Sequence, residues 1–452
     1  MYDLLLINPS LNDVRKRSET LSFAYVDSGH GYIPLFAVAL IPYVRRTGFS
    51  VKFLDMELYS NRDERRLLEV YAPPARFIGL SVMTAQIPQA LHVTKTARMI
   101  APKAEIVWGG IHGTLLPEQT AAHPLIDHVV VGEGEEPLVA LLAGKDHPRL
   151  CNKHKPPEMA GRSTFLPVEE LPDPDYDAVE MDRYFMFQRG YRNCDVMTSR
   201  GCPYRCSFCV NTILTNRWRG LSPERSIGIL RRLRERHAIQ HVLFADENFF
   251  GKVSRTTAIV EGLAELGITW EANICVTDFL TLDDSFVRLM LKSGLTKLRM
   301  GVESASDRLL AILNKNITRN DIVAARERCL SFGIKPCLSF MTRLPDELPE
   351  EAAETRKLAQ ESEERGAEVL GPAPFRPYPG SAEYDKLTNR GLRIPASLEE
   401  WRSSDLFEDG IRDRTLKEEI RAVLKCAFPQ GTRRIRVARA ARNAVSGFWN
   451  RG

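Results

Sequence analysis

The chain has 452 residues, of which 44% are hydrophobic and 27% are charged, a composition typical of a folded protein of two or three domains. The opening residues, Met1-Tyr2-Asp3-Leu4-Leu5-Leu6-Ile7, lack the basic start and the length of a secretory signal, and no run of 18 apolar residues occurs. Six of the nine cysteines are scattered singly, which excludes the paired framework of secreted disulfide scaffolds. We therefore expect a cytoplasmic protein.

The positive charge is concentrated at the C-terminus. Residues 411–452 carry 11 Lys or Arg and 3 Asp or Glu, a net charge of +8, whereas the whole chain carries only +4, so residues 1–410 carry −4. A nucleic-acid-binding body would need basic residues spread over one face of the fold. We therefore expect no nucleic-acid partner.

The first 145 residues alternate short apolar runs with helical patterns, which predicts a doubly wound, Rossmann-like α/β sheet. The predicted strands are 4–8, 51–55, 77–81, 105–108 and 128–131, and the predicted helices are 34–47, 87–100, 117–122 and 135–142. Ligands of such sheets bind beyond the carboxyl ends of the strands. Three special segments fall there: Ser81-Val82-Met83-Thr84, Gly109-Gly110-Ile111-His112-Gly113 and Gly132-Glu133-Gly134.

A Pro- and Asp-rich stretch, Leu171-Pro172-Asp173-Pro174-Asp175-Tyr176, predicts an interdomain connection. A second alternating series then begins, with strands predicted at 195–199, 241–245, 269–274, 297–301, 335–340 and 368–375. Six such units predict a partial (β/α)6 barrel, whose chemistry gathers at the C-terminal strand ends. The predicted domains are 1–150, a linker over 151–189, a core over 190–390 and a small, mostly helical C-terminal region over 391–452.

Three cysteines directly follow the first barrel strand, with the spacing C-x3-C-x2-C: Cys202, Cys206 and Cys209. Three thiolates hold three corners of a cuboidal iron-sulfur cluster and leave the fourth iron open for a ligand, which indicates a catalytic site. The alternative is a three-thiolate zinc site, but no His follows at zinc-finger spacing.

The cysteine spacing, with an aromatic residue before the last cysteine, resembles the radical S-adenosylmethionine superfamily. The resemblance implies a 4Fe-4S cluster whose open iron binds S-adenosylmethionine. It also implies that Asp246 and Glu247, after the second barrel strand, and Glu303, after the fourth, bind the cosubstrate. Taken alone, Asp246 could equally cap a helix, and Glu303 could be a surface carboxylate.

The N-terminal region resembles the cobalamin-binding domain that precedes this core in one subfamily. The resemblance implies that Ser81, Thr84, Gly109 and Gly110 lie in loops that hold cobalamin. The Asp-x-His-x-x-Gly motif that supplies a histidine ligand to cobalt is absent, and His112 is interpreted as a loop histidine that caps the next helix.

The function implied by the resemblance is a cobalamin-dependent radical S-adenosylmethionine methyltransferase. It would methylate an unactivated carbon of a small metabolite through a 5'-deoxyadenosyl radical, with an electron donor such as flavodoxin or ferredoxin. One alternative is a radical cyclase, ring-contraction or rearrangement enzyme without net methylation, acting on a small or lipid-like substrate. Another is a cobalamin or cluster sensor without turnover.

The Arg-rich tail from Gly431 shows apolar residues at helical spacing, ending in Phe448 and Trp449. This pattern predicts a basic amphipathic helix that lies on anionic lipid or packs on a partner. The alternative is a terminal helix packed on its own domain.

Overall fold

The computed structural model describes residues 1–11, 32–59, 61–158, 165–187, 192–214 and 217–403, and residues Met1–Arg402 form one compact unit. The C-terminal helix predicted from Gly431 lies outside these residues. None of the described helices is long and apolar enough to cross a membrane.

The N-terminal sheet has six strands in the order β2-β1-β3-β4-β5-β6, and only β6 runs antiparallel to its neighbour. Its strands are β1 (Tyr2–Asn8), β2 (Val51–Asp55), β3 (Ala75–Ser81), β4 (Glu105–Gly109), β5 (His128–Val130) and β6 (Leu150–Cys151). The apolar run Leu4–Ile7 in β1 is almost completely buried, because helices cover both faces of a parallel sheet of this kind. The short edge strand β6 extends this sheet one residue past the predicted boundary at residue 150.

Helices connect these strands. They are α1 (Leu35–Arg46), α2 (Asn61–Tyr71), α3 (Ile87–Ile100), α4 (Gly110–Leu115), α5 (Pro117–Ala121) and α6 (Glu135–Leu142). Helices α3 and α5 each carry a proline in the first turn, where its missing N–H costs nothing. The sequence predicts neither α2, which is strongly polar, nor α4, which begins at Gly110 directly after β4.

The connecting segment, which ends in α7 (Met181–Phe187), touches both sheets. The Tyr184 hydroxyl donates to the buried Asp55 carboxylate at the end of β2. The Tyr176 hydroxyl donates to the backbone carbonyl oxygen of Asp195 in the second sheet, at 2.9 Å. These bonds attach the connecting segment to both sheets, and one apolar core includes buried residues of both sheets.

The second sheet contains six parallel strands in the order β7-β10-β11-β12-β13-β14. They are β7 (Asn193–Val196), β10 (His241–Phe244), β11 (Thr269–Asn273), β12 (Leu295–Glu303), β13 (Lys335–Thr342) and β14 (Glu368–Pro374). A small antiparallel pair, β8 (Ser199–Arg200) and β9 (Arg219–Gly220), flanks the segment that carries the three cysteines. The predicted fold class, a doubly wound sheet followed by a partial barrel, is confirmed.

Helices of this second region alternate with its strands. They are α8 (Asn211–Leu214), α9 (Pro223–His237), α10 (Val253–Leu266), α11 (Val276–Thr281), α12 (Asp284–Lys292), α13 (Asp307–Ile312), α14 (Arg319–Ser331), α15 (Pro349–Glu364), α16 (Ala382–Asn389) and α17 (Glu400–Ser403). Aromatic side chains fill part of the core: the rings of Phe244 and Phe249 stack at 4.2 Å, and the edge of Trp270 meets Phe244.

All six barrel strands differ from their predicted bounds by at least one residue, and two of these differences bear on the site. The first ends at Val196 rather than at residue 199, because the backbone N–H of Thr198 donates to the Asp246 carboxylate at 3.1 Å instead of continuing the ladder. Strand β12 reaches Glu303 through an irregularity in its pairing with β13. Both differences place polar side chains at the carboxyl rim of the barrel.

Candidate functional site

A cavity of about 300 Å³ lies where the carboxyl edge of the first sheet faces the carboxyl rim of the barrel. Three of the predicted cobalamin-loop residues, Ser81, Gly109 and Gly110, line one side of it. Arg200 and Glu247, from the cluster side, line the other. Most of the remaining wall is apolar, and the mixed lining is typical of a cofactor site.

The glycine loop at this edge is interlocked with the loop after β3. Gly110 has φ +85°, and a Cβ atom there would lie 2.6 Å from the backbone nitrogen of Val82, so the position admits only glycine. A Cβ atom at Gly109 would make an ordinary contact, 3.6 Å from the Cβ of Val130. Two residues without side chains therefore form this part of the wall, which fits the close approach of a ligand such as cobalamin to the backbone.

Thr84 and His112 lie behind this edge and are not among the described residues that line the cavity. The Thr84 hydroxyl contacts His112 Nδ1 at 3.3 Å, and the imidazole packs edge-on against the ring of Trp401, 5.4 Å between centroids. His112 is fully buried, and burial lowers its pKa to about 4. It lies inside α4 rather than capping a helix, and the role of Thr84 in cobalamin binding stays a prediction.

The three cysteines lie on a loop that neighbouring helices hold in place. The backbone N–H of Ser207 donates to the carbonyl oxygen of Leu313 at 2.9 Å, and the Ser207 hydroxyl donates to the Glu383 carboxylate at 2.8 Å. The Asn314 side-chain amide donates to the carbonyl oxygen of Arg205 at 2.8 Å. Hydrogen bonds to residues outside the loop therefore hold its backbone in place.

The thiols of this loop are partly buried. Burial raises the pKa of Cys202 to about 11 and raises the pKa values of Cys206 and Cys209 as well. Thiols in this environment ionise when a metal takes the place of the proton. Among the described residues, no three His, Cys, Asp or Glu side chains come together as ligands of a single metal ion. In a cuboidal cluster each thiolate binds a different iron, and three partly buried thiols on one loop fit that requirement.

Asp246 and Glu247, at the end of β10, hold the chain that leads into this loop. The fully buried Asp246 carboxylate accepts hydrogen bonds from the Thr198 backbone and hydroxyl and from the Ser199 hydroxyl. Glu247 accepts from the backbone N–H of Gly201 at 3.1 Å while lining the cavity, and burial raises the pKa of its carboxyl. Asp246 thus holds the backbone ahead of the cysteine loop in place, whereas Glu247 lines the cavity and can contact a ligand.

Glu303 is buried on the other side of the cysteine loop. Its carboxylate accepts a hydrogen bond from the ammonium of Lys315, at 2.9 Å between Oε1 and Nζ. Burial alone would lower the pKa of Lys315, but the Glu303 carboxylate and the Cys206 thiol raise it above its usual range. Burial of Glu303 excludes a surface position for its carboxylate. Lys315 is not predicted from the sequence.

A buried ion cluster, formed by Arg200, Arg219, Glu133 and Glu135, joins the carboxyl edge of the first sheet to the small β8–β9 pair beside the cavity. Arg200 pairs with Glu133 at 3.1 Å and with Glu135 at 2.7 Å, and Arg219 forms a bidentate pair with Glu133. Burial alone would lower the pKa of Arg200, but the two carboxylates raise it above its usual range. The sequence places Gly132-Glu133-Gly134 at the ligand edge of the sheet but does not predict this pairing. The pairing could not be deduced, because its members lie far apart in the chain.

Comparison with known proteins agrees with this geometry. The family model of the B12 binding domain matches residues 25–142, and that of the radical SAM superfamily matches residues 196–359. The uncharacterized methyltransferase PH0819 of Pyrococcus horikoshii is 29% identical over 391 residues, covering 82% of each chain. The anaerobic magnesium-protoporphyrin IX monomethyl ester cyclase of Rubrivivax gelatinosus is 25% identical over 373 residues, covering 79% of this chain and 66% of the cyclase.

Among solved structures, the radical S-adenosylmethionine methyltransferase TsrM from Kitasatospora setae has the same fold. The TM-score is 0.69 at 18% identity, and the alignment covers 86% of this chain and 76% of TsrM. The two matched domains confirm the predicted cofactors, a 4Fe-4S cluster, S-adenosylmethionine and cobalamin. The chain belongs to the radical S-adenosylmethionine superfamily, among the members that carry a B12-binding domain ahead of the radical domain.

Proposed function

We propose that this radical S-adenosylmethionine enzyme transfers a methyl group to an unactivated carbon of a small molecule. One observation carries the proposal: residues of the predicted cobalamin loops and residues of the cluster side line the same cavity. A methyl carrier and a radical source must both reach one substrate carbon. A cavity shared by the two domains meets that requirement.

The proposed roles of the residues follow from their contacts. Cys202, Cys206 and Cys209 would bind three irons, and the surrounding helices fix their loop. When bound, the cluster supplies one electron to S-adenosylmethionine, which generates the radical, and cobalamin carries the methyl group. Glu247 and Glu303 would bind the cosubstrate from opposite sides of the loop, while Asp246 keeps the loop entrance in place.

Ser81, Gly109 and Gly110 would bind cobalamin through backbone that approaches closely, with Thr84 supporting them from behind. The proposed domain bounds are 1–150, 151–189, 190–390 and 391–452. The first sheet supplies one wall of the cavity and the barrel the other. The substrate would therefore be held between domains rather than within either one.

A second candidate function is a radical cyclisation or rearrangement without net methylation. It is favoured by the likeness to the Rubrivivax gelatinosus cyclase, which extends over most of this chain. In that case the cavity would hold the same cofactors, and the two functions would differ in what happens to the substrate radical.

We also propose two interactions outside the cavity. A low-potential one-electron donor, such as flavodoxin or ferredoxin, would reduce the cluster in the cytoplasm. The basic C-terminal tail, with 11 Lys or Arg in residues 411–452, would contact anionic lipid, where each basic residue contributes about 1 kcal/mol. Co-sedimentation with anionic vesicles tests the second interaction: binding by the full chain that is lost on ending it at Gly431 supports it, and equal sedimentation of both proteins refutes it.

The experiment that tests the proposed function uses the anaerobically reconstituted full chain with cobalamin, S-adenosylmethionine and a strong reductant. We expect both 5'-deoxyadenosine and S-adenosylhomocysteine, the latter only if cobalamin is methylated. Formation of 5'-deoxyadenosine alone would favour the cyclase, and absence of both would refute an enzyme. The matched control changes Cys202, Cys206 and Cys209 to Ala and should hold no cluster; a normal cluster in that variant would refute the ligand assignment.

A further inference from the structure

Lys315 is a buried cation beside the cysteine loop. Its side chain is 14% exposed, and its ammonium lies 2.9 Å from Glu303 Oε1. The same ammonium lies 5.7 Å from the ring centroid of Phe208, which stands between Cys206 and Cys209 in the chain. Its electrostatic partners are the carboxylate of Glu303 and the thiols of Cys206 and Cys275.

The backbone around the Lys315–Glu303 pair adopts uncommon left-handed conformations. Asn314 and Asn316, on either side of Lys315, both have φ +52°, and Glu303 has φ +62°. Left-handed conformations in three non-glycine residues each cost energy and persist where the surroundings demand them. The side-chain amide of Asn314 also holds the carbonyl oxygen of Arg205 in the cysteine loop. One turn therefore fixes both the cation and the loop.

The space between Gly301 and the Lys315–Glu303 pair is also restricted. A Cβ atom at Gly301 would lie 2.5 Å from Glu303 Oε1 and 3.1 Å from Lys315 Nζ. Phe208 packs with Leu309, Leu313 and Leu344 in a small apolar cluster next to the loop. This apolar packing reduces screening by water, so a fixed charge here acts strongly on its neighbours.

Reduction by one electron adds one negative charge to an iron-sulfur cluster, and nearby charge is one of the factors that set its reduction potential. We propose that Lys315 is a positioning residue for the cluster: it holds Glu303 in place and makes the cluster easier to reduce. The proposal rests on the proposed assignment of the cluster to Cys202, Cys206 and Cys209. The electron itself comes from the external one-electron donor, and Lys315 neither gains nor loses a proton in the process.

The test is a potentiometric titration of the reconstituted cluster, followed by electron paramagnetic resonance without S-adenosylmethionine. Lys315→Met keeps the length of the side chain and removes the charge. We expect the equilibrium constant for reduction to fall about tenfold or more, a shift of about 59 mV to more negative potential. Lys315→Arg should restore the potential. The control is Lys292→Met, an exposed lysine at the end of α12, which should leave the potential unchanged.

A second variant distinguishes charge from loss of structure. Glu303→Gln removes a negative charge from the same pair, so its potential should move in the opposite direction, to more positive values. If Lys315→Met holds no cluster, the direction in which the reduction potential of Glu303→Gln moves tests the proposal alone. An unchanged potential in a variant that holds the cluster, or shifts of both variants in the same direction, would overturn the inference. Iron content is measured separately, so that failure of the wild-type chain to hold a cluster refutes the proposed function instead.

Discussion

We predict that His112 lowers the stability of the protein in mild acid. Its imidazole is fully buried, contacts the Thr84 hydroxyl and packs against Trp401. Its Nε2 atom has no hydrogen-bond partner among the described residues, so nothing there stabilises the charged form. Replacing it by Phe keeps a ring of similar size against Trp401 and removes the titration.

The size of the effect follows from two pKa values. Burial lowers the pKa of His112 to about 4, whereas its ordinary value is 6.5. Between these values the unfolded chain binds the proton and the folded chain does not, so the free energy of unfolding falls as the pH falls. From pH 7 to pH 5 the loss is about 2 kcal/mol. Residues Met1–Arg402 form one compact unit, and for a unit of that size this loss lowers the melting temperature by about 2 °C.

The assay is thermal unfolding of the wild-type chain and of His112→Phe at a series of pH values from 7 to 5. At pH 7 the free energy of unfolding of the variant is about 1 kcal/mol lower than that of the wild type, because the contact with Thr84 is lost. Its melting temperature should then fall less steeply than that of the wild type. Parallel pH profiles for the two proteins would refute the reasoning, because the other buried carboxyls are common to both and cancel in the difference.

Two further predictions concern the cavity and its wall. Gly109→Leu should weaken cobalamin binding about tenfold or more, measured by corrin absorbance, because its Cβ has room beside Val130 and the rest of the side chain enters the cavity. Gly228→Leu, which meets only a flexible arginine side chain, is the control and should bind normally; equal loss in both would contradict the assignment. Glu133→Gln should cost about 3 kcal/mol of stability in thermal unfolding, since it leaves Arg219 buried without its carboxylate. Adding Arg219→Gln should recover part of that loss, and an additive double variant would contradict the pairing.

Much of the fold could be predicted from the sequence because burial imposes a pattern on it. Strands of a parallel sheet read as short apolar runs, and the run at the start of the chain is buried as expected. The predictions were weakest where polar contacts end an element. Strand β7 stops at Val196 because the backbone N–H of Thr198 donates to Asp246, about 50 residues later in the chain. No local pattern carries that information.

Some residues of the candidate site were likewise predictable from local sequence, and others were not. The three cysteines were found by their spacing, which depends only on residues close together in the chain. Arg200, by contrast, was not singled out, because its partners Glu133 and Glu135 lie some 65 residues earlier. Lys315 was missed for another reason: a lysine in a sequence is usually exposed, and only the folded structure shows this one to be buried.

The ion cluster also bears on how the two domains work together. Glu133 belongs to the loop after β5 and Glu135 begins α6, at the edge where cobalamin is proposed to bind. Arg200 stands two residues before Cys202. Buried charges tolerate little displacement, because separating them leaves each one unpaired away from water. Charge as well as apolar packing therefore restricts the distance between the loops proposed to bind cobalamin and the cysteine loop. A methyl carrier and a radical source that act on one carbon need a constant separation, and a buried ion cluster at the cavity wall supplies it.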